Sequence, residues 1–127
     1  MRVFKRKSYS VGMTRAESLK FTPVKSTRVQ ESRLETGEII LTYPLDIRPW
    51  IDRIAKRFGR KESTPVKKKL QLDELGTAVW GQINGECSVR QVIQWFAKKY
   101  QLHTKEAEVS VTRFLRELGK RGIIGLK

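Results

Sequence analysis

The apolar residues of this chain change period at Asp73, and that change constrains the fold more than any other feature. Before it, Ile39, Leu41 and Tyr43 alternate with other residues, and Leu70 and Leu72 repeat the alternation, which is the period-two pattern of strands with one buried face. After it, the spacing becomes helical. Leu75, Val79, Trp80 and Ile83 form one stripe, Val89, Val92, Ile93, Phe96, Ala97 and Tyr100 a second, and Ala107, Val111, Phe114, Leu115 and Leu118 a third. Strands first and helices after them specify an α+β fold.

Local signals set the boundaries. The run Val29 to Leu34 and the run Glu38 to Tyr43 flank Glu35-Thr36-Gly37, which predicts a hairpin closed before Pro44. Lys68 to Leu72 reads as a third strand. Asp73 is placed to cap the first helix, and Asn84-Gly85 to end it. Ser88 with Gln91 three residues later is a capping-box pattern at the start of the second helix. The third helix runs from about Thr104 to Arg121 with Gly122 as its stop, and an apolar GIIGL closes the sequence. The predicted architecture is winged helix-turn-helix-like: a three-stranded antiparallel N-terminal sheet followed by a three-helix bundle.

Charge is distributed unevenly over this scheme. The chain has 127 residues with 27 Lys and Arg against 13 Asp and Glu, a net charge of +14. Residues 1–28 carry +7 and residues 48–69 carry another +7, so everything outside these two segments is neutral overall. Residues 1–28 have scattered single apolar side chains without a period, and are read as a basic tail lacking regular structure. Residues 29–127 are read as one domain carrying a basic amphipathic insertion at 45–66. Within that insertion DIRPWIDRIAKRFG places Trp50, Ile51, Ile54 and Phe58 on one side of a short helix, with Pro49 suited to its first turn and Gly59 to its end. Clustered Lys and Arg of this kind form an electrostatic footprint for an anionic partner or lipid.

Catalytic and metal chemistry find no foothold. The sequence contains no nucleophile elbow, phosphate loop, dinucleotide glycine fingerprint or HExxH pattern. With one Cys, Cys87, and one His, His103, it has neither an internal disulfide nor a Cys/His set for zinc. His103 stands beside a helix start and reads as a solvated or capping residue, and Cys87 as a small turn residue. No catalytic residue, metal site or cofactor is assigned. The N-terminal MRVFKRKSYSVGM has charge without the apolar core of a signal peptide, and no apolar run is long enough to span a membrane, so a cytoplasmic location is expected. Trp95 lies off the apolar stripe of its helix. Either the amphipathic insertion covers it, or it is an interface anchor, and Trp50 allows the same two readings.

The run KKLQLDELGTAVWGQINGECSVRQVIQWFAKKY, followed by VSVTRFLRELGKRGIIGL, resembles the PqqD family of pyrroloquinoline quinone biosynthesis. The matching features are Leu70-Gln71-Leu72 before a polar cap at Asp73, Ala78-Val79-Trp80 before Asn84-Gly85, Ser88-Val89 at a helix start, and the closing Phe114-Leu115, Leu118 and Gly122-Ile123. The resemblance covers residues 29–44 and 67–127. It implies a RiPP recognition element, a non-catalytic module that binds a precursor or leader peptide and presents it to a radical SAM or other peptide-modifying enzyme. In that family the peptide adds as a strand to the third strand and lies against the third helix. Carried onto this sequence, the peptide-binding residues would be Lys68, Lys69, Leu70, Gln71 and Leu72 on the strand, with Val109, Thr112, Arg113 and Arg116 on the helix. Trp50, Ile51, Ile54, Phe58 and Trp95 would contact a partner or membrane. The chain departs from the family in the 22 residues, Leu45 to Val66, between its second and third strands, and in its basic N-terminal extension.

Two other readings compete. A winged helix suggests DNA binding, but the helix that would enter the major groove begins TKEAEVS, which puts Glu106 and Glu108 against phosphates, so nucleic acid is disfavoured. The amphipathic insertion suggests a membrane-surface adaptor, its apolar side in the interface and its Lys and Arg on anionic lipid.

Overall fold

The computed structural model describes residues 14–44 and 67–127. The elements run α1 (Arg15–Lys20), β1 (Pro23–Lys25), β2 (Gln30–Arg33), β3 (Ile39–Pro44), β4 (Lys67–Gln71), α2 (Glu74–Gly81), α3 (Val89–Lys99), α4 (Thr104–Lys120) and β5 (Ile124–Leu126). The result is an α+β fold with two antiparallel sheets, one of three strands in the order β2-β3-β4 and one ribbon of β1 with β5. The predicted insertion at 45–66, including its helix, lies outside the described residues, as do residues 1–13.

The hairpin forms where the turn chemistry places it. Gly37, at φ +97°, supplies the left-handed position, Gly37 N–H donates to Leu34 O at 2.9 Å, and Leu34 N–H donates to Glu38 O at 2.8 Å. Ile39, Leu41 and Tyr43 then turn inward, Leu41 completely buried. β4 pairs with β3 in a register that sets Leu70 opposite Leu41 and Lys68 opposite Tyr43, and Leu72 N–H donates to Ile39 O at 2.8 Å.

The helices are capped as their sequences require. Asp73 accepts from Gly76 N–H at 2.7 Å, and Ser88 forms a reciprocal capping box with Gln91. His103 takes the capping role at α4, its Nδ1 accepting from Lys105 N–H at 3.1 Å. α4 ends in a Schellman turn: Ile123 N–H donates to Leu118 O at 3.0 Å, Gly122 N–H to Gly119 O at 3.1 Å, and Gly122 holds φ +75°. The buried faces of α2, α3 and α4 meet Leu41, Tyr43 and Leu72 in one core. Leu75 departs from its predicted inward place. It is 46% exposed, because Gly76 occupies the buried position in the first turn of α2, where a Cβ would stand 3.1 Å from the Phe114 ring.

Residues 14–28 correct the expected tail. α1 opens on a capping box between Thr14 and Glu17, and its Leu19 is buried in the core. Val89 N–H donates to Phe21 O at 2.8 Å, which fixes the segment to the start of α3. β1 then pairs with β5, Pro23 opposite Leu126 and Lys25 opposite Ile124, so the terminal GIIGL becomes a buried strand. Lys25 joins the two sheets: its Nζ lies 3.6 Å from Glu31 of β2 and 4.4 Å from the centroid of the Trp80 ring. Single apolar side chains at Leu19, Phe21 and Pro23 are enough here because each meets an existing core surface.

Candidate functional site

β4 is the edge strand of its sheet, pairing with β3 on one side only among the described residues. In an antiparallel ladder, residues alternate between those bonded to the neighbour and those whose backbone groups point the other way. The bond from Leu72 N–H to Ile39 O fixes the alternation. Lys68 and Leu70 exchange backbone bonds with β3 and Leu72 donates to it, so Lys67, Lys69 and Gln71 direct N–H and C=O to the open side. Side chains divide the same way. Lys68, Leu70 and Leu72 share the core-side face with Leu41 and Tyr43, while Lys67, Lys69 and Gln71 share the outer face with Ile40, Thr42 and Pro44. Leu72 is buried, Leu70 is half-buried, and Lys67, Lys68, Lys69 and Gln71 are exposed.

Two contacts relate α4 to the elements next to this strand. Near the end of β4, the Phe114 ring approaches Gly76, three residues beyond the Asp73 cap. Near its start, Arg121 Nη1 donates to the Tyr43 hydroxyl at 2.7 Å, and Tyr43 stands opposite Lys68. One flank of α4 carries Phe114, Glu117 and Arg121, and its Arg121 end reaches β3. Glu117 lies 3.9 Å from Arg121 and 3.8 Å from Lys120.

The four helix residues carried over by resemblance separate on this geometry. Val109, 54% exposed, and the exposed Arg113 and Arg116 lie on the outward face. Thr112 is half-buried on the other flank, its hydroxyl donating to Glu108 O at 2.7 Å. That flank meets α1: Arg15 Nε and Nη2 donate to the two carboxylate oxygens of Glu108, each at 2.6 Å. The hydrogen bond from Arg15 holds the Glu108 carboxyl below its usual range, and Glu108 raises the Arg15 guanidinium. Residues 112 and 114 point about 160° apart around a helix, so Thr112 and Phe114 serve opposite sides.

Phe114 escaped the sequence reading as a site residue because its spacing marks it as core. It is half-buried and packs against the core, as Leu70 of β4 does. The exposed Leu75 precedes Gly76, which the Phe114 ring approaches. Trp95 is half-buried on α3, its ring 6.5 Å from Phe96 and 5.8 Å from Lys99 Nζ. Trp50, Ile51, Ile54 and Phe58 lie outside the described residues. Among the described residues no helix is long and apolar enough to cross a membrane.

Residues 63–124 match the family model for coenzyme PQQ synthesis protein D (PqqD). No curated protein and no solved structure matches the chain significantly. The matched segment takes in β4, α2, α3 and α4, the elements that carry the open edge and the helices that follow it, and this match supports a PqqD-like family assignment.

Proposed function

We propose that this protein is a non-catalytic peptide-binding adaptor, which holds a precursor or leader peptide as an added strand on β4 and presents it to a peptide-modifying enzyme, a radical SAM protein or another. The carrying observation is the open edge, where Lys67, Lys69 and Gln71 turn backbone donors and acceptors away from β3. An edge of this kind supplies sequence-independent affinity through main-chain bonds, and adjoining side chains supply selection. The half-buried Leu70 gives the core-side face of an added strand an apolar contact. The match to PqqD supports this reading, and so does the order of three strands and three helices, which we take as a winged-helix arrangement acting in the cytoplasm. We place residues 29–127 in this module, with α1 and β1 as an added brace.

The helix side of the site is then Phe114, with Arg113 at its outer margin, while Val109 and Arg116 face outward and Thr112 faces α1. The test is amide NMR of the full chain titrated with peptides from a precursor encoded beside its gene. Perturbation of Lys67 to Leu72 and of the Phe114 ring is expected. Binding that leaves these signals unmoved contradicts the proposal.

A further inference from the structure

We infer that the peptide taken by β4 is acidic in a defined register: acid, any residue, acid, apolar, read along the strand from the position opposite Lys67 to that opposite Leu70. The inference rests on the strand-addition reading and names the chemistry of its ligand.

An added strand keeps the face alternation of its neighbour, so residues opposite Lys67 and Lys69 lie on the outer face, and the residue opposite Leu70 lies on the core-side face. On the outer face the neighbours of Lys67 and Lys69 across the ladder are Pro44 and Thr42, and beyond Thr42 lies Gln30. None of these is acidic. Among the described residues, Lys67, Lys68 and Lys69 make no ion pair. Carboxylates two residues apart on an incoming strand therefore meet two ammonium groups that the sheet itself leaves uncompensated. Like charges in those places are repelled.

The other end of the edge is different. Gln71 Nε2 donates to the Glu38 carboxylate at 3.2 Å on the same outer face, so a negative group already stands there and disfavours a third acid. On the core-side face the position opposite Leu70 meets a half-buried apolar side chain that packs against the core. The edge thus carries a polarity, cationic at Lys67 to Lys69 and neutral to acidic at Gln71, which fixes the register of the ligand as well as its charge.

The test uses the full chain and two synthetic peptides that differ only in charge, one containing Glu-Val-Glu-Leu and one Gln-Val-Gln-Leu within the same Thr-rich flanks. Each is supplied in both chain directions. The glutamate peptide should shift the Lys67 to Leu72 amides and bind about fivefold more tightly than its glutamine partner at low salt, two exposed pairs being involved. The advantage should shrink as salt rises. In the Lys67→Glu, Lys69→Glu double variant the preference should reverse toward a Lys-Val-Lys-Leu peptide, which guards against a variant that merely loses structure. Equal binding of the Glu and Gln peptides at this edge overturns the acidic register and leaves strand addition standing. Glutamate-dependent shifts confined to other basic residues overturn the location, and salt-dependent binding of duplex DNA through Lys67 to Lys69 in place of either peptide overturns both.

Discussion

Proline at position 69 separates the two sides of β4. The Lys69 N–H points away from β3, so Lys69→Pro removes no bond of the existing ladder, and edge strands tolerate proline at such positions. The Lys68 N–H points toward β3, where Lys68 faces Tyr43, so Lys68→Pro deletes a ladder bond and strands the carbonyl of a residue that is 3% exposed. Leaving such a group unpaired costs about 1–3 kcal/mol, whereas Lys69→Pro should cost less than about 1 kcal/mol. Peptide affinity should reverse this ranking. Lys69→Pro removes a donor from the open side and leaves a peptide carbonyl without a partner, again about 1–3 kcal/mol, which is between about fivefold and about 150-fold in dissociation constant. Denaturant unfolding reads the first quantity and calorimetric titration of the folded variants the second. Equal destabilisation by the two prolines would refute the assigned alternation, and full affinity in Lys69→Pro would refute binding by strand addition.

Other predictions follow from the core and the caps. Leu41→Ala empties a site with no exposure, and denaturant unfolding should show a loss of about 2–5 kcal/mol. Gly122→Ala forces a side chain into the left-handed position of the Schellman turn and should cost about 1–2 kcal/mol, with amide exchange rising first at Ile123. The brace formed by α1 should loosen in acid. The Thr14 backbone N–H, then its hydroxyl, depresses the Glu17 carboxyl, and Arg15 depresses that of Glu108. Carboxyls depressed by folding stabilise above their unfolded values, near pH 4, and that contribution is lost as pH falls through the folded values. Exchange of the Val89 amide, bonded to Phe21 O, relative to its intrinsic rate, should accelerate below about pH 4 before α3 itself opens, and Arg15→Ala should raise that exchange already above pH 4 and flatten its response to acid, leaving the Glu17 part.

The parts of the fold that could be read from sequence are those with a local cause. Glu35-Thr36-Gly37 closes a hairpin because Gly37 can hold a positive φ, and Asp73, Ser88 and His103 cap helices because their side chains reach free N–H groups. The ribbon of β1 with β5 has no such cause, since its two strands lie at opposite ends of the described chain and pair only once a core exists. α1 has six residues, too few for a helical period, and only the Thr14 and Glu17 spacing announced it. Leu75 was read inward by its spacing, but Gly76 lets α2 approach Phe114 closely and takes the buried position instead. The strand half of the site followed from family resemblance and the period of Leu70 and Leu72. The choice of helix residues rests on the resemblance alone, because spacing separates core from surface yet does not say which flank of α4 meets the sheet. The bond from Arg121 to Tyr43 brings the end of the helix to β3.

Amide hydrogen exchange along β4, residue by residue, with and without a bound peptide, tests the central claim most directly. In the free protein the Leu70 and Leu72 amides should be protected and those of Lys69 and Gln71 should exchange rapidly. Peptide should bring Lys69 and Gln71 into protection while Leu70 and Leu72 change little. Peptide binding that leaves Lys69 and Gln71 exchanging at their free rates would contradict strand addition at this edge.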